Sequence, residues 1–144
     1  MQDKRLFYKF NRAQHLLYRH AEKELLKETG ITPIQLGALF FLLKHDGCLQ
    51  KELAKGLHLN KPAVTGLVAR MEKAQLIRKG SSRDGRAIHI FLTTRAMDLS
   101  QKAFPLLDRL NRTITEGFTT DEIDVVHRFI DNIMSLLAKE KSYD

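Results

Sequence analysis

The sequence predicts a mainly α-helical fold with one small β-hairpin, and three observations carry that prediction. Apolar residues recur at steps of three and four through most of the chain, the spacing of amphipathic helices. Two short β-prone runs, residues 77–79 and 88–92, flank the turn-rich loop Gly80-Ser81-Ser82-Arg83-Asp84-Gly85-Arg86. Almost all the net charge sits around that hairpin. Residues 47–92 hold nine bases and three acids, which is +6 of the chain's +7.

The 144 residues amount to one domain, and 43% hydrophobic content is enough to build a core. Residues 1–12 lack the uninterrupted apolar stretch of a signal peptide. The longest apolar run, residues 36–43, is far short of the roughly 20 residues that cross a bilayer. One cysteine excludes an internal disulfide framework. A soluble cytoplasmic protein with no membrane segment is expected.

The elements follow in order. Leu6, Phe10, Ala13, Leu17, Ala21 and Leu25 describe a long first helix that Gly30 can end in the left-handed conformation. Thr32-Pro33-Ile34-Gln35 is a capping box, so a second helix runs over 33–45. It is apolar nearly all round and therefore central. A short third helix covers 51–57, and a fourth runs from about Asn60 to about Gln75. The hairpin comes next. A fifth helix starts after Thr93 or Thr94, and Pro105 inside it predicts a kink or a break. The last helix opens with a second capping box, Thr119 to Glu122. It carries a seam of Ile123, Val126, Ile130, Ile133 and Leu137 suited to another helix. Long amphipathic helices at both ends of so short a chain point to a homodimer.

The middle of the chain holds the chemistry. In residues 50–68, Leu53, Ala54, Leu57, Leu59, Val64 and Leu67 pack two short helices across a tight turn, the helix-turn-helix pattern. A basic hairpin after it makes a winged helix-turn-helix. His58 stands where such turns usually have glycine, and histidine tolerates positive φ better than most residues. On the fourth helix, Val64, Leu67, Val68 and Met71 share the inner face. Pro62, Gly66, Ala69 and Lys73 lie opposite, flanked by Ala63, Thr65 and Arg70. Small residues with bases beside them suit a double-stranded DNA groove. Gly66 there allows the backbone to approach the groove floor. Thr65 can touch a thymine methyl or donate to a base edge, and Arg70 can reach guanine or a phosphate. Lys61 and Lys73 suit phosphates. Arg83 and Arg86 at the hairpin tip suit the adjacent minor groove. Asp84, an acid in a loop meant to meet DNA, is expected to orient a neighbouring arginine by a charge-assisted hydrogen bond.

These residues resemble those of the MarR-type regulators, the multiple-antibiotic-resistance repressor family. The resemblance rests on Gly30-Ile31-Thr32-Pro33, Glu52-Leu53-Ala54, Asn60 through Met71-Glu72-Lys73, the wing Asp84-Gly85-Arg86, and Leu92-Thr93. It implies one domain over 1–144, with a DNA-binding lobe at 33–92 and dimerisation helices at 1–30 and 94–141. It also implies a homodimeric repressor on a pseudo-palindromic operator, released by a small aromatic or phenolic effector whose binding residues the sequence does not identify. The expected DNA-binding set is Lys61, Pro62, Ala63, Thr65, Gly66, Arg70, Lys73, Arg83, Asp84 and Arg86. Three positions depart from the family pattern: Gln75 replaces a helix-ending glycine, Ala96 a glycine after the wing, and Leu49 a serine or threonine cap.

Other readings are weaker. No phosphate loop or nucleophile motif supports an enzyme, and no cofactor or metal site is expected. A redox sensor would need an activated Cys48, which instead reads as a small buried hydrophobe. A metal sensor would need His15, His20, His45 and His127 to converge, although none has ligand spacing. An architectural DNA binder without sequence preference, or a winged-helix protein-interaction module, would share the basic face.

Overall fold

The structure is a computed structural model and describes residues 4–138. Residues 1–3 of the first assigned segment and 139–141 of the last lie outside that range. The order is α1 (Leu6–Thr29), α2 (Pro33–Lys44), β1 (Cys48–Leu49), α3 (Gln50–Gly56), α4 (Lys61–Lys73), β2 (Ile77–Ser81), β3 (Ile88–Leu92), α5 (Thr94–Thr115) and α6 (Thr120–Ala138). The mainly helical class with a small β wing is the one expected. The chain forms two compact units, one reaching Leu107 and the other starting at Asp108.

Local chemistry explains most boundaries. Gly30 takes φ +74 and its N–H bonds Leu26 O, which closes α1. Thr32 and Gln35 make both halves of the predicted box, with Gln35 N–H donating to Thr32 Oγ1 and Thr32 N–H to Gln35 Oε1. Leu49 has no side-chain acceptor, so α3 keeps only the return bond, from Leu49 N–H to Glu52 Oε1. Asn60 Oδ1 caps α4 by accepting from Ala63 N–H at 2.9 Å. Thr93 Oγ1 accepts from Ala96 N–H and donates to Gln75 and Leu76 O, so one hydroxyl opens α5 and ties it to the end of α4. At α6, Glu122 N–H donates to Thr119 Oγ1 as expected, but the Glu122 carboxylate bonds back to the Thr119 hydroxyl.

The first unit is built around α2. Leu36, Ala38, Leu39 and Leu42 are buried there with Leu53 of α3 and with Val64, Leu67, Val68 and Met71 of α4. The four inner-face residues predicted for α4 are thus all in the core. The sheet order is β1-β3-β2, antiparallel throughout, with Cys48 opposite Ile90 and Ile77 opposite Leu92. The two-residue strand β1 was not expected. It forms because β3 offers an open edge, and two side chains hold that edge in register. Asp46 Oδ1 accepts from Leu92 N–H at 2.8 Å, and His89 Nδ1 donates to Gly47 O at 2.9 Å.

Pro105 does not break α5, which is continuous from Thr94 to Thr115. The bond that proline cannot donate would have gone to the carbonyl of Gln101. Gln101 is exposed, so water can replace it. In the second unit α6 buries no residue, and Val125, Val126, Phe129, Met134, Leu136 and Leu137 are exposed.

Both helices of the helix-turn-helix end in the same motif. After α3, Leu59 N–H reaches Ala54 O and His58 N–H reaches Lys55 O. After α4, Leu76 N–H reaches Met71 O and Gln75 N–H reaches Glu72 O. This is the Schellman pairing, which places the residue after the cap in the left-handed region and normally uses glycine. Here His58 has φ +55 and Gln75 φ +60. A side chain at that conformation costs about 1 kcal/mol. Gln75→Gly is expected to raise stability by about that amount, partly offset by the freer unfolded chain. A melting temperature that falls in the variant would sink this account of the turn.

Candidate nucleic-acid interface

α4 presents Lys61, Pro62, Thr65, Ala69, Arg70 and Lys73 to solvent, with Ala63 and Gly66 half-buried between them. Asn60 sets the start of this surface and Pro62 pre-forms its first turn. Arg83, Asp84 and Arg86 are exposed on the wing between β2 and β3. Every residue expected to meet DNA therefore lies on one of two elements, the outer face of α4 or the wing loop.

The wing is ordered by its own hydrogen bonds. Gly85 N–H donates to Ser82 O at 2.9 Å, making a tight turn that leaves Gly85 at φ +70. Asp84 Oδ1 accepts from Ser82 Oγ at 2.5 Å and from Arg86 N–H at 3.2 Å. Asp84 does bond a neighbouring arginine, but at its backbone N–H and not at its guanidinium. Its partners are the Ser82 hydroxyl and the Arg86 backbone, which close contact within the turn favours over a long exposed guanidinium. The Ser82 bond, and then the Arg86 N–H, hold the Asp84 carboxyl below the usual aspartate range. The folded value is the lower one, so this contribution is complete above the unfolded aspartate pKa of about 3.9 and is lost as pH falls below it. Ser82, whose Oγ also accepts from Ala87 N–H, organises the wing, a role that no spacing pattern in the sequence marks.

The cations divide by task. Arg78 stacks on Phe91 with its guanidinium carbon 4.4 Å from the ring centre, and Lys79 pairs with Glu72 at 3.6 Å. These two brace the sheet. Among the described residues, Lys61, Lys73, Arg83 and Arg86 form no ion pair and are available to an anion. Arg70 folds back along its helix, and a Cβ added at Gly66 would lie 3.1 Å from its Nη1. Gly66 therefore leaves room for Arg70 in the free protein. Because only the end of a flexible side chain stands in the way, Gly66→Ala should fold well and gain up to about 1 kcal/mol of helix stability. Weaker DNA binding in a more stable protein would show that the groove needs the methyl to be absent. Unchanged binding would remove that role from Gly66.

Cys48 lies in β1, half-buried against the core. Burial first, then the nearby Glu52 and Asp46 carboxylates, push its thiol up. A raised pKa keeps the sulfur protonated, the opposite of what a peroxide-reactive cysteine needs. Among the described residues, no three His, Cys, Asp or Glu side chains come together as a metal site. No helix among them is long and apolar enough to cross a membrane.

A family model described as MarR family matches residues 29–87, which include the helix-turn-helix and the wing loop. The HTH-type transcriptional regulator TtmR of Methylorubrum extorquens (strain PA1) is 30% identical over 135 residues, covering 93% of this chain and 66% of that protein. The chain belongs to the MarR family. The fold agrees. A solved complex of S. aureus MepR with DNA superposes with a TM-score of 0.79 at 25% identity, over 92% of this chain and 96% of that one. The organohalide-sensing regulator RdhR-CbdbA1625, solved with 2,4-dichlorophenol, superposes with a TM-score of 0.86 at 19% identity, over 96% and 82%. This MarR-family chain spans 66% of the length of TtmR, and 56% and 46% of two other curated regulators it matches.

Proposed function

We propose that this MarR-family protein is a homodimeric transcriptional repressor that reads a pseudo-palindromic operator. The observation that carries the reading is the pairing of an exposed, cation-flanked helix α4 with a wing whose two arginines form no ion pair among the described residues. α4 enters the major groove, Lys61 and Lys73 hold phosphates, and Arg83 and Arg86 reach the adjacent minor groove. Two copies place two such helices about 34–36 Å apart, one turn of DNA. The exposed apolar residues of α1 (Leu6, Phe7, Leu16, Leu17) and of α6 support the dimer. The likeness to MepR, solved on DNA, supports the ligand.

The test is the ratio of affinity for a selected operator to affinity for random DNA at one fixed salt concentration. Specific regulators exceed non-specific binding by about 10³–10⁷. A ratio near one would make the protein an architectural binder. Release of the operator by a small aromatic or phenolic molecule belongs to the same proposal. Titrating 2,4-dichlorophenol into the operator complex checks it directly.

A further inference from the structure

The hydroxyl of Thr65 is already occupied. Its single proton goes to Lys61 O at 2.8 Å, so in the free protein the hydroxyl offers no donor toward the groove side. The same oxygen accepts from Gln50 Nε2 at 3.4 Å. With the Thr65 proton on Lys61 O, the Gln50 group that faces this oxygen is the amide NH2, which donates. What Thr65 shows to a groove is therefore its methyl group. Gln50, held beside it from the first turn of α3, retains one N–H and its carbonyl oxygen. A neighbouring donor and acceptor on one planar amide match the N7 and N6 edge of adenine.

The surroundings agree. Gln50 lines a cleft of ≈ 540 Å³ between α3, the start of α4 and the base of the wing. Lys51, Lys61 and Arg86 line the same cleft, and among the described residues no carboxylate does. An uncharged amide ringed by cations that attract the DNA backbone is placed to read a base.

We infer that Gln50 and Thr65 form a reading pair, in which Thr65 meets a thymine methyl and Gln50 recognises the adenine of an adjacent base pair. Gln50 lies outside the recognition helix and acts from α3. The inference rests on the proposed operator binding.

The experiment is selection from randomised operators at fixed salt, run on the wild type and four variants. Gln50→Ala should relax one position in each half-site by about 5- to 150-fold while keeping the rest of the motif. Gln50→Glu should move that position from adenine toward cytosine, since a carboxylate accepts from cytosine N4. Thr65→Ser keeps the hydroxyl chain, so it should lose the thymine preference and retain the adenine. Thr65→Val keeps a methyl but leaves Gln50 unheld, so it should retain the thymine and weaken the adenine. A Gln50→Ala protein that weakens uniformly on all sequences, or selects an unchanged motif, overturns the pair alone. A wild type that selects no motif overturns the regulator proposal and the pair with it.

Discussion

Arg83→Ala/Arg86→Ala is expected to lose operator affinity by about 10²- to 10³-fold at moderate salt while keeping the fold. The double variant removes two cations from each wing, and so four from the proposed dimer. If each neutralises a phosphate or sits in the negative minor groove, the slope of log K against log salt should flatten by about 3–4. The fold should survive because both side chains are exposed and form no ion pair among the described residues. The turn keeps its bonds as well. Asp84 is held by the Arg86 backbone N–H, which alanine also carries, and by the Ser82 hydroxyl. Circular dichroism and a salt titration of binding are the measurements. Unchanged affinity and slope would take the wing out of the interface and leave α4 to act alone.

The second large effect is at the other end of the chain. Val126 and Leu137 are exposed on α6, 45% and 55% accessible, on the seam that the sequence marks for a helical partner. Val126→Asp/Leu137→Asp places two charges on that seam in each copy. Sedimentation velocity should show the wild type as a dimer and the variant as a monomer at micromolar concentration. Operator affinity should fall by about 10²–10⁴-fold, because one half-site then binds without the effective concentration that the linked second half supplies. Since α6 buries no residue within the chain, the change should act through assembly rather than through the core. A variant that remains dimeric would move the interface away from α6.

The two experiments divide the protein's physics. In the proposed dimer the wing would contribute charge, which salt screens, and the helical seam would contribute spacing, which salt barely touches. A repressor of this design needs both, and a general DNA binder needs only the first.

Much of this was legible in the residues. Thr32, Thr119 and Gly30 announce helix ends through side chains and backbone freedom that act within four residues. The inner face of α4 follows from spacing alone, and all four of its predicted residues are buried. The sequence marks His58 as a strained turn and Gln75 as a substitute for glycine. The structure shows both as the left-handed residue of the same capping motif. Less legible was Asp84, whose proximity to arginines suggested a side-chain partner when a hydroxyl two residues away was closer. Pro105 suggests a kink or a break, but α5 runs unbroken because an exposed carbonyl one turn earlier needs no partner within the protein.

Sequence by itself determined the helices, their caps, the amphipathic faces and the placement of charge on one third of the chain. These depend on neighbours within one or two turns, where spacing translates directly into geometry. Tertiary structure decided strand β1, the ties of Asp46 and His89 to groups 46 and 42 residues away, and the occupation of the Thr65 hydroxyl by Gln50 from 15 residues away. Such contacts exist only once the chain has closed those loops. A hydrogen-bonding group's partner is then set by which atom arrives within about 3 Å, and no local pattern records that.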